Sequence, residues 1–207
     1  MSKANESFKP DFLIEDSLIA QGFGVIAGTD EAGRGPIAGP VVSAAVVLNP
    51  QDIPEGLNDS KKLSPKRREA MFDRIMSTAL AVGVAEVSAG EIDRINIRRA
   101  SLESMRLAVT RLAVQPHHVL VDGDSVPPGL EMAATAVIKG DARSLSIAAA
   151  SIIAKVTRDR IMEQACRTWP GYGFSRHAGY GTAEHLAAIE ALGPTPIHRM
   201  TFRPLCR

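Results

Sequence analysis

The sequence predicts an α/β fold in a single domain, and three observations carry that reading. Two short apolar runs, Val25 to Asp30 and Val41 to Leu48, flank the glycine- and proline-rich segment EAGRGPIAGP and read as a hairpin. Downstream of them, helical and strand-like patterns alternate. No fixed-period repeat and no break in composition marks a second domain. A chain of 207 residues hides roughly 70% of its unfolded surface on folding, so it needs neither disulfide nor structural metal for stability.

The elements follow in order. Residues 1 to 20 are mixed and polar and read as a loosely attached lead-in, with the folded domain spanning 21 to 207. After the hairpin, residues 49 to 63 carry many turn formers and read as an exposed loop. Ser64-Pro65 then supplies an N-cap and a helix-starting proline, with Met71, Phe72 and Ile75 on one face. Ala81 to Val87 reads as a third strand. Ile97 to Gln115 reads as a helix, because Leu102, Met105, Val109 and Leu112 keep the helical period. Short strands at Val119 to Val121 and Ala134 to Ile138 lead into VDGD and KGD. Ser146 to Ala165 is helical, with the small residues of IAAASIIAK allowing close packing. Thr182 caps a last helix that stops at Gly193.

Composition excludes several classes. Two cysteines, Cys166 and Cys206, make neither a disulfide framework nor a zinc cluster. No run approaches the ~18 apolar residues of a membrane span, and the N-terminus lacks a secretory pattern, so the expected address is the cytoplasm and no membrane partner is expected. Net charge is only +1, which leaves any nucleic-acid surface to local clusters.

The sharpest local signal is a set of carboxylates at strand ends. Asp30 and Glu31 close the first strand, and Asp122 and Asp141 stand just beyond two later ones. Because consecutive strand side chains face opposite ways, Asp30 and Glu31 are expected to share a site only if the chain turns there, which Gly33 and Gly35 would allow. Adjacent strands would gather all four acids, and their mutual repulsion calls for cations. Oxygen ligands suit Mg²⁺ or Mn²⁺, and two ions ~3.5 to 4 Å apart serve phosphodiester hydrolysis. Asp30 and Asp122 are expected as primary or bridging ligands, with Glu31 and Asp141 completing the shell.

Competing motifs fail. GRGPIAG is one residue too long for a dinucleotide fingerprint, and no Gly-Lys-Ser/Thr follows. DGDSVPPGLEMA places Pro127 and Ala133 where a calcium loop needs Gly and Glu, so Asp124 reads as a turn residue or a support to the site. The histidines lack a zinc pattern, leaving His177 and His185 as hydrogen-bonding groups near the site. Ser146 and Ser151 sit in no nucleophile elbow and read as supporting or helix-surface hydroxyls.

Nucleic-acid contacts are expected from Gly33, Arg34 and Gly35, whose exposed amides suit phosphate or sugar oxygens, or simply form a tight turn. Lys61, Lys62, Lys66, Arg67 and Arg68 form the densest basic segment, and Lys62 is the substrate-binding candidate within it. Four of the nine aromatics fall in WPGYGFSRHAGY, and Tyr180, in a Gly-Tyr-Gly turn, is placed to stack on a sugar or base.

The stretches GTDEAGRGPIAGPVVSAAVVL, DSKKLS, VDGD, VIKGDARSLSIAAASIIAKVTRDRIM, YGFSRHAGYGTAEH and HRMTFRPL resemble the type 2 ribonuclease H family in its bacterial form. The resemblance implies a ribonuclease H-like mixed sheet flanked by helices, with a small C-terminal helical part. It implies two divalent cations, Mg²⁺ or Mn²⁺, on Asp30, Glu31, Asp122 and Asp141 as catalytic carboxylates. Gly33, Arg34 and Gly35 then correspond to a loop that reads a 2′-hydroxyl at an RNA–DNA junction, and Tyr180 to a tyrosine that stacks there. The implied substrates are RNA–DNA hybrids and duplex DNA containing ribonucleotides, cut on the 5′ side to leave 3′-hydroxyl and 5′-phosphate ends, by a chain expected to act as a monomer. Asp124, Ala178 and Gly181 depart from the family's usual Asn, Lys and Pro. Two rivals remain: an enzyme confined to long hybrids, and a nucleic-acid-binding module with structural carboxylates.

Overall fold

The computed structural model describes residues 9–206. Strands β1 (Ile26–Ala32), β2 (Val41–Val47) and β3 (Ala81–Val87) form an antiparallel meander. Strand β4 (His118–Asp122) lies parallel to β1, and β5 (Ala133–Val137) parallel to β4. The result is one mixed sheet of order β3-β2-β1-β4-β5, the arrangement expected from the family resemblance.

Helices cover both faces. Helices α1 (Leu13–Ala20), α2 (Pro65–Thr78), α3 (Ala89–Ile95) and α4 (Ile97–Thr110) precede β4 in the chain. The 24-residue α5 (Leu145–Thr168) follows β5, and short helices α6 (Phe174–His177) and α7 (Ala183–Leu192) close the fold. Alternation on β2 sorts the core. Ala44 and Val46 pack with Ile75 of α2 and Ile152 and Ile153 of α5, whereas Ala45 and Val47 pack with Met105, Ala108 and Val109 of α4. Every residue of β2 is buried, as a strand covered on both faces requires.

Helix α5 runs unusually close to the sheet. A Cβ on Gly28 of β1 would stand 2.2 Å from the Ser146 carbonyl carbon, so only glycine fits beneath the helix N-terminus. The small residues Ala148, Ala149 and Ala150 are all buried there, which is the close packing their size allows.

The N-terminal stretch differs from its sequence expectation. Residues 1–8 lie outside the described residues, but the stretch from Asp11 to Ala20 is tied down. Asp11 makes an isolated parallel bridge with Ser144, and α1 buries Glu15 against the start of α5. There Glu15 Oε1 accepts from Ser144 Oγ at 2.6 Å and from the Ser146 N–H at 3.0 Å. A polar sequence reads as a lead-in because the partners of its buried acid, Glu15, lie about 130 positions away.

Two further differences are local. The helix expected to reach Gln115 ends at Thr110, since Pro116 disfavours helix at the residue before it and the chain must cross to β4. Helix α3 was not anticipated; Ser88 caps it by accepting from the Glu91 N–H, and Asn96, at φ 68°, separates it from α4. Among the described residues no helix is long and apolar enough to cross a membrane.

Candidate active site

The site lies at the ends of β1 and β4. Parallel pairing of Thr29 with Val121 sets the next residues, Asp30 and Asp122, side by side. One oxygen from each of Asp30, Glu31 and Asp122 falls within 4.8 Å of the others. Strand β1 continues through Ala32, so the chain does not turn between the two acids as expected. Instead Asp30 is buried on the α5 side near Ser151, while Glu31 also borders a hollow lined by Arg98 and Ser101 of α4. The extra methylene of Glu31 brings its carboxylate back to the others. Asp141 follows β5 in a 3₁₀ turn (Gly140–Ala142) and stands beside this trio rather than within it. Gly140 N–H donates to Asp122 Oδ1 at 2.7 Å, which fixes the Asp122 carboxylate against that turn.

Electrostatics set these groups apart from ordinary surface acids. Burial raises Asp30 well above the usual carboxylate range, and the charges of Glu31 and Asp122 push the same way. Burial also raises Glu31, against the pull of Arg34, whose Nη1 lies 3.1 Å from Oε1. Asp141 is raised by burial and by Asp122. On Lys61 burial opposes the charge, but Asp59, Asp30, Asp141 and Asp122 outweigh it and hold the ammonium above its ordinary value.

The donor set fits a divalent cation. Glu31 Oε2 is buried with no hydrogen-bond partner among the described residues, an expensive state for a carboxylate oxygen unless a cation completes it. All the donors are hard oxygens, which suit Mg²⁺ or Mn²⁺.

Beside the carboxylates opens a cleft of about 500 Å³ lined by Asp30, Glu31, Asp122, Gly33 to Gly35, Ser60, Lys61, Ser151, Lys155, Arg158 and Tyr180. Tyr180 is 52% exposed, and its ring lies 3.3 Å from where a Gly35 Cβ would stand. Trp169, Tyr172 and Phe174 pack instead into the apolar cluster that holds α6 and α7 on α5.

These are the relationships a nuclease needs: acids at parallel strand ends, a basic and aromatic wall, and a glycine loop between them. A family model described as Ribonuclease HII matches residues 27–204. The chain belongs to the ribonuclease HII family. A ribonuclease HII of Rhizobium leguminosarum bv. trifolii is 59% identical over 196 residues, covering 95% of this chain and 85% of that relative. Another, from Agrobacterium fabrum, is 59% identical over 198 residues, covering 96% and 91%. In three dimensions the fold is similar to the crystal structure of the ribonuclease H2 from Pyrococcus horikoshii OT3, with TM-score 0.75 and 30% identity over 87% of this chain and 95% of that one. As a ribonuclease HII, the protein is a metal-dependent endoribonuclease acting on RNA–DNA hybrids.

Other expected residues fall in different places. Lys62 does not line the cleft; the neighbouring Lys61 does. Ser151 lines it and pairs with Ser60 at 3.0 Å, whereas Ser146 lies in the first turn of α5, buried, with its backbone against Gly28. Asp124 is exposed beside Ser125 and Arg98, at the rim of the hollow that Glu31 and Asp122 share. His177 and His185 are buried behind Tyr180 and do not border the cleft. Sequence reasoning missed Arg158 and Arg199, which are buried beneath the glycine loop; an arginine in a helical or polar stretch carries no local sign of burial.

Proposed function

We propose that this ribonuclease HII cuts on the 5′ side of single ribonucleotides embedded in duplex DNA as well as within hybrids, leaving 3′-hydroxyl and 5′-phosphate ends. The observation that carries this reading is the placement of the Gly33–Gly35 loop and Tyr180 in the same cleft as Asp30, Glu31 and Asp122. Asp30, Glu31 and Asp122, with Asp141 alongside, hold two Mg²⁺ or Mn²⁺ ions. Such ions, when bound, activate the attacking water and stabilise the leaving oxygen. Lys61 and Lys155 bring positive charge to the phosphate track. The backbone amides of the loop hydrogen-bond a ribose 2′-hydroxyl, which only an RNA residue offers. Tyr180 stacks on the neighbouring sugar or base and fixes the junction against the loop.

The decisive assay uses a labelled duplex with one ribonucleotide, alongside all-DNA and all-RNA duplexes and a long hybrid, each with Mg²⁺, Mn²⁺ or EDTA. Cleavage at the 5′ side of the ribonucleotide that EDTA abolishes is the expected result. Cutting of long hybrids alone would remove the junction role from Gly33 to Gly35 and Tyr180.

A further inference from the structure

Two arginines lie fully inside the protein without a carboxylate partner. Arg158 is 1% exposed and Arg199 0%, and neither forms an ion pair among the described residues. Both spend their donors on backbone carbonyls. Arg158 Nε, Nη1 and Nη2 donate to Pro40, Ala178 and Ala38 at 3.0, 2.9 and 3.1 Å. Arg199 Nε, Nη1 and Nη2 donate to Gly39, Arg34 and Gly33 at 2.9, 3.0 and 2.6 Å. Six carbonyls from the loop after β1 and from the Tyr180 turn therefore converge on two planar cations. Burying a guanidinium among neutral groups is costly, and an apolar side chain would fill the same space without that cost. Burial, and then the charge of Arg158, push Arg199 down to about 9, which leaves it cationic at neutral pH.

The consequence follows from the planar trans peptide, in which the C=O of one residue and the N–H of the next point in opposite directions. With the Gly33 and Arg34 carbonyls drawn inward to Arg199, the Arg34 and Gly35 N–H groups face away from it. Neither amide has an acceptor among the described residues. The glycine at 33 belongs to the same arrangement. It sits at φ +97°, and a Cβ there would stand 2.0 Å from Arg158 Nε, so the buried arginine occupies the space a side chain would need.

We propose that Arg199, with Arg158 behind it, is a positioning residue for ribose recognition: by holding the Gly33 and Arg34 carbonyls inward it keeps two backbone N–H donors aimed at the substrate. The inference rests on the reading that this loop contacts the 2′-hydroxyl. It adds that discrimination between ribose and deoxyribose is built from behind the loop, by side chains that are buried in the protein. Lysine keeps the charge but lacks the planar fork that spans several carbonyls.

The test compares wild type, Arg199→Lys and Arg158→Lys with Mg²⁺ on the single-ribonucleotide duplex, and measures binding in Ca²⁺ to that duplex and to one with a 2′-fluoro group in place of the hydroxyl. In Arg199→Lys, KM for the ribonucleotide duplex should rise about tenfold, kcat should fall less than threefold, and Mn²⁺ binding should match wild type, since the carboxylates are untouched. Preference for the hydroxyl over fluorine should shrink by a similar factor. A folded Arg199→Lys with wild-type KM and preference would overturn the inference while leaving the loop reading intact. If wild type itself binds both duplexes equally, the loop reading fails and the inference with it. Should Arg199→Lys not fold, Arg158→Lys decides on the same readouts, and parallel losses in kcat, KM and Mn²⁺ binding there would mark a merely structural role. If neither lysine variant folds, the arginines serve stability and the inference is rejected.

Discussion

His198 Nε2 lies 3.0 Å from His185 Nε2, and the two rings link residue 195 to the carbonyl of Tyr180. The Thr195 N–H donates to His198 Nδ1 at 2.8 Å, so the His198 proton must sit on Nε2 and point at His185. His185 then carries its own proton on Nδ1, 2.9 Å from the Tyr180 carbonyl that accepts it. Every member of this chain is neutral. His177 stacks on His185 with centroids 4.5 Å apart, which makes added charge still less welcome.

That chain makes stability depend on pH. Burial, and then His185, push His198 down from 6.5 to about 4, so its contribution is complete above pH 6.5 and is lost as pH falls towards 4. The full loss is about 3 kcal/mol. Asp30, Glu31 and Asp141 are raised and act in the opposite direction, so the comparison with His198→Gln isolates the histidine. Urea unfolding at pH 7 and pH 5 should show wild type losing more stability than the variant; equal losses would refute this assignment.

Asp30→Asn and Asp122→Asn should each lower turnover at least about 100-fold. Without metal, Asp30→Asn should melt higher than wild type, because a buried charge facing two others has been removed. A gain of ~1 kcal/mol corresponds to about 2–4 °C for a domain of this size. Thermal melts in EDTA and in Mn²⁺ check both parts: the metal should raise the Tm of wild type more than that of the variant. A metal-free Asp30→Asn that melts lower would contradict the electrostatic account.

The two adjacent lysines should behave differently. Lys61 faces the carboxylates and lines the cleft, whereas Lys62 does not. Lys61→Ala should lower kcat/KM about tenfold or more, as expected for loss of a charged contact to phosphate. Lys62→Ala should change it less than about twofold. Steady-state kinetics on one hybrid substrate at fixed salt decide the matter, and a larger effect at Lys62 would reverse the assignment.

Glu15 should matter for stability rather than chemistry. Glu15→Ala leaves the Ser144 hydroxyl and the Ser146 N–H without their buried acceptor, at a cost of about 3 kcal/mol. Glu15→Gln, which retains an acceptor oxygen, should lose less. Denaturant unfolding gives the magnitudes, and hydrogen exchange should show the first turn of α5 losing protection in Glu15→Ala. An alanine variant as stable as wild type would mean that α1 is not held by this contact.

Much of the architecture is legible in local sequence. The five strands fall where short apolar runs predict them, most plainly at β2, which is buried throughout and apolar except at Ser43, whose hydroxyl pairs with Ser104. Asp30, Glu31 and Asp122 stand out because charge at the end of such a run is conspicuous, and alternating helices imply that the strand ends meet. The six motif blocks pointed to the family that the comparisons identify.

The partners of single side chains were decided elsewhere. Whether Lys61 or Lys62 faces the cleft depends on the phase of one short 3₁₀ turn (Ser60–Lys62), which composition does not reveal. Glu15, Arg158 and Arg199 look like surface charges in the sequence and are buried in the fold, each hydrogen-bonded to groups 20 to 166 positions away. Periodicity reports which face of an element is apolar, over a few residues at a time. The acceptor that waits for a buried charge is created only when distant segments pack, and so tertiary structure alone determined how the glycine loop is held beside the carboxylates.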